Sequence, residues 1–398
     1  MRYRWVIAGL LCLSTMINYV DRQAVAVVQK EINTEFGLDQ NDYGQVVAMF
    51  MFAYAIMYGL SGSIVDRLGA KRGAALFISL WSIAQMAHAF AVGKWSLAGA
   101  RFALGLTEPG NWPAAAKAVK EWFPPERRAL GIGIFNAGSS LGATIATPLI
   151  GSIALVRGWR AAFVITGFFG FFWLVAWLAL YRTGPYTDAS STAKPPLWET
   201  LRHRGCWTLV VARFLTDPVL YFMLFWLPPY LRQERGFDLA MVTKYAWIPF
   251  VFADIGYLLG GWLSGFLIDR GFTIARARKR VMLIGACCMP PAMLAPIAPE
   301  AWMAIAATCF ITFGHSMWVS NELTIPTDIF RDGAVGTASG FSGMGGAMGG
   351  VVANLGTGYV VQHFSYAPVF VCAGLLHPLA MVVIATQLPD RVFSARAK

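Results

Sequence analysis

A chain of 398 residues with 57% hydrophobic and only 13% charged residues is far from the composition of a soluble globular protein, and that class is excluded. The formal net charge of +11 would suit a nucleic-acid partner in a soluble protein, but in so apolar a chain the placement of the charges decides their meaning. The six cysteines show no metal-ligand spacing, so they read as small apolar packing residues, and neither a metal nor a cofactor is expected.

Hydrophobic windows of about twenty residues predict twelve spans. In the first half they cover 5–28, 43–65, 73–92, 96–119, 130–156 and 161–181. In the second they cover 207–230, 245–268, 281–297, 302–323, 335–361 and 368–388. The expected fold is an all-α membrane protein of twelve transmembrane helices in two pseudo-symmetric bundles of six. The first bundle takes residues 1–181, a cytoplasmic linker 182–205 and the second bundle 206–398. Residues 1–4 with the following apolar run imitate a secretory signal, but no small-residue cleavage site follows, which predicts an uncleaved first span. With loops assigned alternately, the basic residues gather on the side that carries both termini: Arg67, Lys71 and Arg72, then Arg127 and Arg128, then Arg276, Arg278, Lys279 and Arg280. By the positive-inside rule both termini are cytoplasmic, in a multi-pass protein of a bacterial-type inner membrane. The lipid bilayer is then the surrounding phase, no nucleic acid is needed to explain the charge, and a monomer suffices.

The first span is interrupted by Asn18-Tyr19-Val20-Asp21-Arg22. A charge near the centre of a spanning helix costs at least ~2.5 to 3.5 kcal/mol, so Asp21 and Arg22 are candidate functional residues. The plain alternative is that they lie near the helix end and snorkel to the interface. A short polar loop follows, and Asp42 stands where a helix N-cap is expected. Tyr54 and Tyr58 share a face of the second span, suited either to a polar ligand or to core packing.

The next loop reads Gly62-Ser-Ile-Val-Asp66-Arg67-Leu-Gly69-Ala-Lys71-Arg72. Its glycines permit close helix approach and a tight turn, its carboxylate can meet a helix N-terminus, and its basic residues can pair with acids across a bundle. The loop resembles the signature of the major facilitator superfamily, Gly-x-x-x-Asp-Arg-x-Gly followed by basic residues. An echo, Gly265-Phe-Leu-Ile-Asp269-Arg270-Gly271, occupies the equivalent place after span eight, and Glu121-Trp-Phe123 is echoed by Asp328-Ile-Phe330. Such internal repetition is expected of a transporter built from two six-helix halves around a midplane site.

Span four carries Arg101 and Glu108, seven residues apart and hence on nearly one helical face, with Pro109-Gly110 loosening the helix beside them. A carboxylate here can cycle between protonated and ionised forms as access changes, which makes Glu108 a candidate proton carrier; a structural hydrogen bond is the alternative. Span five, rich in small residues, offers Asn136, Ser139 and Ser140 either for close packing or as donors to a hydroxylated substrate. The glycines of span eleven suggest a flexible gating helix. In span seven Arg213 and Asp217 are four apart, a spacing for mutual neutralisation before substrate binding, and Asp254 in span eight has no partner visible in sequence. Span ten carries His315, Trp318, Ser320, Asn321 and Glu322; His315, Trp318 and Asn321 are candidate substrate contacts, although Asn321 and Glu322 can also be placed at the cytoplasmic end.

Asn18 to Arg22, Arg101 through Glu108-Pro109, Glu121-Trp-Phe-Pro124 and Phe135 to Pro148 resemble the anion:cation symporter family within the superfamily. Arg213-Phe-Leu-Thr-Asp-Pro218 with Ala253-Asp254 is similar to its hexuronate transporter branch. The resemblance implies a small organic anion as cargo, commonly with protons: Asp21 and Glu108 as the protonation pair, Arg22 as the carboxylate anchor, Tyr19 and Tyr54 as substrate contacts. Ser139 stands where related galactonate carriers have glutamine. The chemistry agrees, because the rigid donor fork of Arg22 suits a planar carboxylate and an ionised Asp21 beside it would compete with the anion. The expected function is proton-coupled symport of a hexuronate- or aldonate-like sugar acid. A carrier or exchanger of another organic anion or phosphate, and a non-transporting nutrient sensor, are the alternatives; the sensor is disfavoured by a tail of only ten residues after Leu388. No phosphate-cradling glycine motif, metal cluster or nucleophile with its base is present, so neither an enzyme nor an ATP-driven pump is expected.

Overall fold

The computed structural model describes residues 3–124, 128–186, 197–330 and 332–394, and these are almost entirely helical, with no strand among them. The chain runs through α1 (Tyr3–Val27), α2 (Gln29–Phe36), α3 (Gln40–Ala87), α4 (Lys94–Thr107), α5 (Asn111–Trp122), α6 (Arg128–Arg157) and α7 (Trp159–Leu180). It continues through α8 (Leu197–Arg202), α9 (Arg204–Gln233), α10 (Leu239–Tyr245), α11 (Ile248–Asp269), α12 (Ile274–Cys287), α13 (Ala301–Glu322) and α14 (Ile325–Ile329). The last three are α15 (Asp332–His363), α16 (Ala367–Gln387) and α17 (Asp390–Ser394). Arg127 and the middle of the linker, residues 187–196, lie outside the described residues.

Eight helical runs are long and apolar enough to cross a membrane by length and composition. Twelve spans are recovered because α3 holds two, joined at Gly69, and three others are disguised. The α4–α5 pair and α12 are interrupted by 3-10 turns, and α15 is diluted by glycine. Gly69 has φ +80° and ψ 167°, a backbone conformation open to glycine alone, and it closes the tight loop between the two halves of α3. Apolar side chains such as Phe172, Val175, Leu258 and Trp262 stand exposed, a surface that belongs in lipid.

Local chemistry corrects two boundaries. The cap of α3 is Asp39, not Asp42: the Asp39 carboxylate accepts from the Asp42 amide at 2.7 Å, and Asp42 returns the bond as the third residue of a capping box while pairing with Lys94 at 2.5 Å. The basic stretch 276–280, expected as loop, forms the first turns of α12. The Thr273 hydroxyl accepts from the Arg276 amide there, and Gly271, at φ +88°, makes the preceding turn.

Contacts divide the chain into two compact units, one of residues 1–189 with 224–247, the other of 190–223 with 248–398. The last third of α9 and all of α10 therefore pack with the first unit, where a boundary at 205/206 would assign them to the second. In the first unit α1 packs on α6, and α3 on α4 and α7. Gly138 and Gly142 of α6 leave no room for a side chain against the backbone of Cys12 and Met16, which fixes the α1–α6 approach. In the second unit α13 packs on α11 and α12, with Gly256 against the Phe313 backbone and Gly285 against Gly314. Gly345 and Gly349 bring α15 onto the backbone of α9 at Val210 and Phe214.

Candidate functional site

In the first unit, α1 and α4 bring four ionisable side chains into an apolar interior. Asp21, Arg22, Arg101 and Glu108 are all at most 2% exposed, which rules out the placement of Asp21 and Arg22 at the interface. Arg22 turns toward α4 and donates to Glu108 Oε2 twice, from Nε at 3.0 Å and Nη2 at 2.7 Å, and Nη2 also reaches Asn18 Oδ1 at 3.3 Å. Both bonds fall on one oxygen, and Glu108 Oε1 has no hydrogen-bond partner. Aromatic rings enclose the guanidinium: its carbon lies 4.8 Å from the Tyr19 and Tyr54 ring centres, 5.5 Å from Phe50 and 6.0 Å from Trp112. Ring faces stabilise the cation without competing for its donors, so the fork stays aimed at a carboxylate.

The helix break positions Glu108. Residues Glu108–Gly110 form a 3-10 turn between α4 and α5, and Gly110 lies against the Phe77 ring where any side chain would collide. Arg101, two turns before Glu108, stacks on Phe50 at 4.4 Å and donates one long bond, 3.4 Å, to the Arg22 carbonyl; its Nε and Nη2 have no partner. Buried guanidinium donors left unpaired are costly, and an arriving anion would satisfy them.

Asp21 stands apart from Arg22. Successive helix residues diverge by about 100°, and neither Asp21 oxygen has a partner at hydrogen-bonding geometry. The Thr166 hydroxyl of α7 is the nearest interacting side chain, and it accepts from Gln85 at 2.9 Å. The carboxylate that takes Arg22 is therefore Glu108, not the sequence neighbour Asp21. On α6, Asn136 is exposed, and Ser139 is half-buried and donates to the Asn136 carbonyl at 2.6 Å.

The signature loop is exposed at Asp66, Arg67 and Arg72, with Lys71 half-buried. Lys117 of α5 donates to the Val65 and Asp66 carbonyls and lies 3.8 Å from the Asp66 carboxylate. The close approach expected of Gly62 falls at Gly73, which meets Val65 at 3.1 Å, whereas a side chain at Gly62 would meet nothing within 4 Å. Asp269 and Arg270 are likewise exposed, the latter stacked on Phe266.

In the second unit Arg213 donates to Asp217 Oδ2 from Nε at 3.0 Å and Nη2 at 2.6 Å. His315 Nδ1 lies 3.1 Å from His377 Nε2, and Trp318 donates to Glu322 Oε2 at 2.9 Å. Glu322 and Asn321 are buried, not at an exposed helix end. Asn321 spends its amide on Gly260 O and Met317 O and accepts from Arg278, so it ties helices together. Two residues were not singled out in the sequence, Trp112 and His377, and Arg278, expected as a loop charge, instead bridges Ser264 and Asp328. His377-Pro378 within an apolar run was the one visible signal among them. No group of acids, histidines and cysteines able to hold a metal occurs among the described residues.

The fold and the buried charged interior together define a multi-pass α-helical membrane protein with a polar core, the build of a transporter. The profile of the Major Facilitator Superfamily matches residues 11–340, and the chain belongs to that family, whose members are transporters and not enzymes. It is 32% identical to the hexuronate transporter of Escherichia coli K12 over 98% of this chain and 94% of that relative. It is 31% identical to the galacturonate transporter of Dickeya chrysanthemi over 72% and 89%, so it falls in the sugar-acid branch of the superfamily. Among solved structures, the D-xylose-proton symporter superposes with a TM-score of 0.79 at 16% identity, covering 98% of both chains. A bacterial homolog of the lysosomal transporter Spinster superposes at 0.75 and 21%, covering 99% of this chain and 94% of that one. At those identities the likeness speaks for the fold alone.

Proposed function

We propose that this protein is a secondary active transporter that carries a hexuronate- or aldonate-like sugar-acid anion together with protons, by alternating access, across a bacterial inner membrane with both termini cytoplasmic. The observation that carries the reading is the Arg22–Glu108 pair: one guanidinium, caged by Tyr19, Tyr54 and Trp112, whose fork is taken by an internal carboxylate. Protonation of Glu108 weakens its hold on Arg22 and frees the fork for the substrate carboxylate, with the unpaired Arg101 donors beside it as a second contact. Proton and anion then bind cooperatively, which is symport expressed as a coupling free energy. Asp21, buried beside Thr166, is the second proton carrier of this unit in the proposal, and Asn136 and Ser139 are hydroxyl contacts. The sugar-acid relatives support the substrate class.

The test is uptake of radiolabelled glucuronate and galacturonate into proteoliposomes with and without an inward proton gradient. Stimulation by the gradient is expected, with competition from unlabelled aldonates. Uptake of neither sugar acid, or uptake indifferent to the gradient, refutes the reading.

A further inference from the structure

The two units differ in how their buried charges balance. In the first, Asp21 and Glu108 stand against Arg22 and Arg101. In the second, among the described residues, the buried acids Asp217 and Glu322 stand against the half-buried Arg213, whose fork is already on Asp217. Glu322 is 1% exposed; its Oε2 accepts from Trp318, and its Oε1 has no hydrogen-bond partner. Asp217 and Arg213 act on it from α9, with the Thr216 hydroxyl beside them. On its own helix His315 precedes it by two turns, paired across to His377 of α16, and the other ring nitrogens, His315 Nε2 and His377 Nδ1, are unpartnered. From α12 the nearby charge is Arg278, which is bound to Asp328. Asp254 of α11 is half-buried, and between 333 and 362 α15 carries no acid, base or histidine, Tyr359 being its one titratable side chain there.

Each state of Glu322 has its own holder in this arrangement. An ionised Glu322 accepts from Trp318 but leaves the cluster one negative charge in excess among the described residues, in an interior where an uncompensated charge is costly. A neutral Glu322 removes that excess, and the Thr216 hydroxyl beside it can receive the acid proton. A buried acid that can be held in both protonation states is what a loading and unloading site requires. A permanent structural acid would have a cation of its own. The cluster also touches a packed, glycine-rich helix: the Asp217 carboxylate occupies the space where a side chain at Gly346 of α15 would stand. Any shift of α15 along α9 therefore opens or closes the surroundings of Asp217, and with it the charge seen by Glu322.

We propose that Glu322, with Asp217 and Arg213, is a second proton-binding site in the C-terminal unit, taking a proton at Oε1 from water and returning it there once per cycle, so that more protons accompany each substrate than the first unit supplies. The proposal rests on the transporter reading above and adds a site to it.

The experiment is the proton-to-glucuronate ratio, read in proteoliposomes as the pH gradient that just balances an opposing glucuronate gradient. For Glu322→Gln the ratio is expected to fall by one relative to wild type; an unchanged ratio overturns the proposal. Trp318→Phe supplies a second reading should the first variant fail to fold. Loss of the donor that holds ionised Glu322 makes the proton bind more tightly, so the pH profile of uptake shifts to higher pH, whereas a merely structural Trp318 lowers the rate without moving the profile. An unmoved profile counts against the site. If wild type takes up no sugar acid, the substrate reading fails separately. An infrared carboxyl band on the purified protein, titrating with pH in wild type and lost in Glu322→Gln, then decides the proton site by its presence or absence.

Discussion

Replacing Glu108 by glutamine removes the internal competitor for Arg22 while keeping its shape, and the consequence can be sized from the geometry. The carboxylate holds the guanidinium through bonds of 2.7 and 3.0 Å, with both partners at most 3% exposed. At about 4 Å between charge centres and an effective dielectric near 20, such a pair interacts by roughly 4 kcal/mol, which substrate must displace while Glu108 is ionised. Part of that is returned by the new substrate contact, leaving a coupling of about 1–3 kcal/mol, or roughly 5- to 150-fold in affinity. Wild-type binding of glucuronate, measured by calorimetry in detergent, is expected to tighten as pH falls, because protonation releases the fork. Glu108→Gln is expected to bind at alkaline pH about 5- to 150-fold more tightly than wild type, with the pH dependence flattened and gradient-driven uptake lost. Weaker binding in the variant at alkaline pH, with the pH dependence retained, would refute the competition.

Three further outcomes follow from the same geometry. Arg22→Lys keeps the charge but loses the fork and its stacking against Tyr19 and Tyr54, and should weaken glucuronate binding by about 1.5–3 kcal/mol, measured by the same calorimetry. Gly69→Ala forces a side chain into a backbone conformation of φ +80° and should cost about 1–3 kcal/mol, seen as a lower melting temperature in detergent. Glu35, on α2 outside the spans, is held below the usual glutamate range by hydrogen bonds from Arg160 and Trp159. Because the folded value is the lower one, this stabilisation is present above the ordinary glutamate value of 4.5 and is lost as pH falls through the depressed one. Arg160→Gln should therefore lower the melting temperature more near neutral pH than in acid, where only its bonds to the Ala89 and Ala91 carbonyls are lost, the pH-dependent part being at most about 1 kcal/mol for so exposed a pair.

The architecture was legible because bilayer length and apolar composition are read directly from the chain. Where the reading slipped, a short-range bond decided: a capping box moved the α3 start from Asp42 to Asp39, and a threonine cap drew the basic residues 276–280 into α12. The members of the first cluster were visible as charges in apolar runs. Their pairing was not, since adjacency along the chain suggested Asp21 as the neighbour of Arg22, while the turn of the helix sends Arg22 toward Glu108, 86 residues away. Glu322 was visible as a residue but was placed by its position near the end of an apolar window, which says nothing of the burial that α9 and α16 impose on it.

The central claim is that a substrate carboxylate takes Arg22 only as Glu108 takes a proton. Its most direct test is the pH change on mixing glucuronate with purified protein in weakly buffered solution at alkaline pH. Proton uptake that accompanies binding and vanishes in Glu108→Gln is the predicted result. Glucuronate binding with no proton taken up, or the same uptake in both proteins, would contradict it.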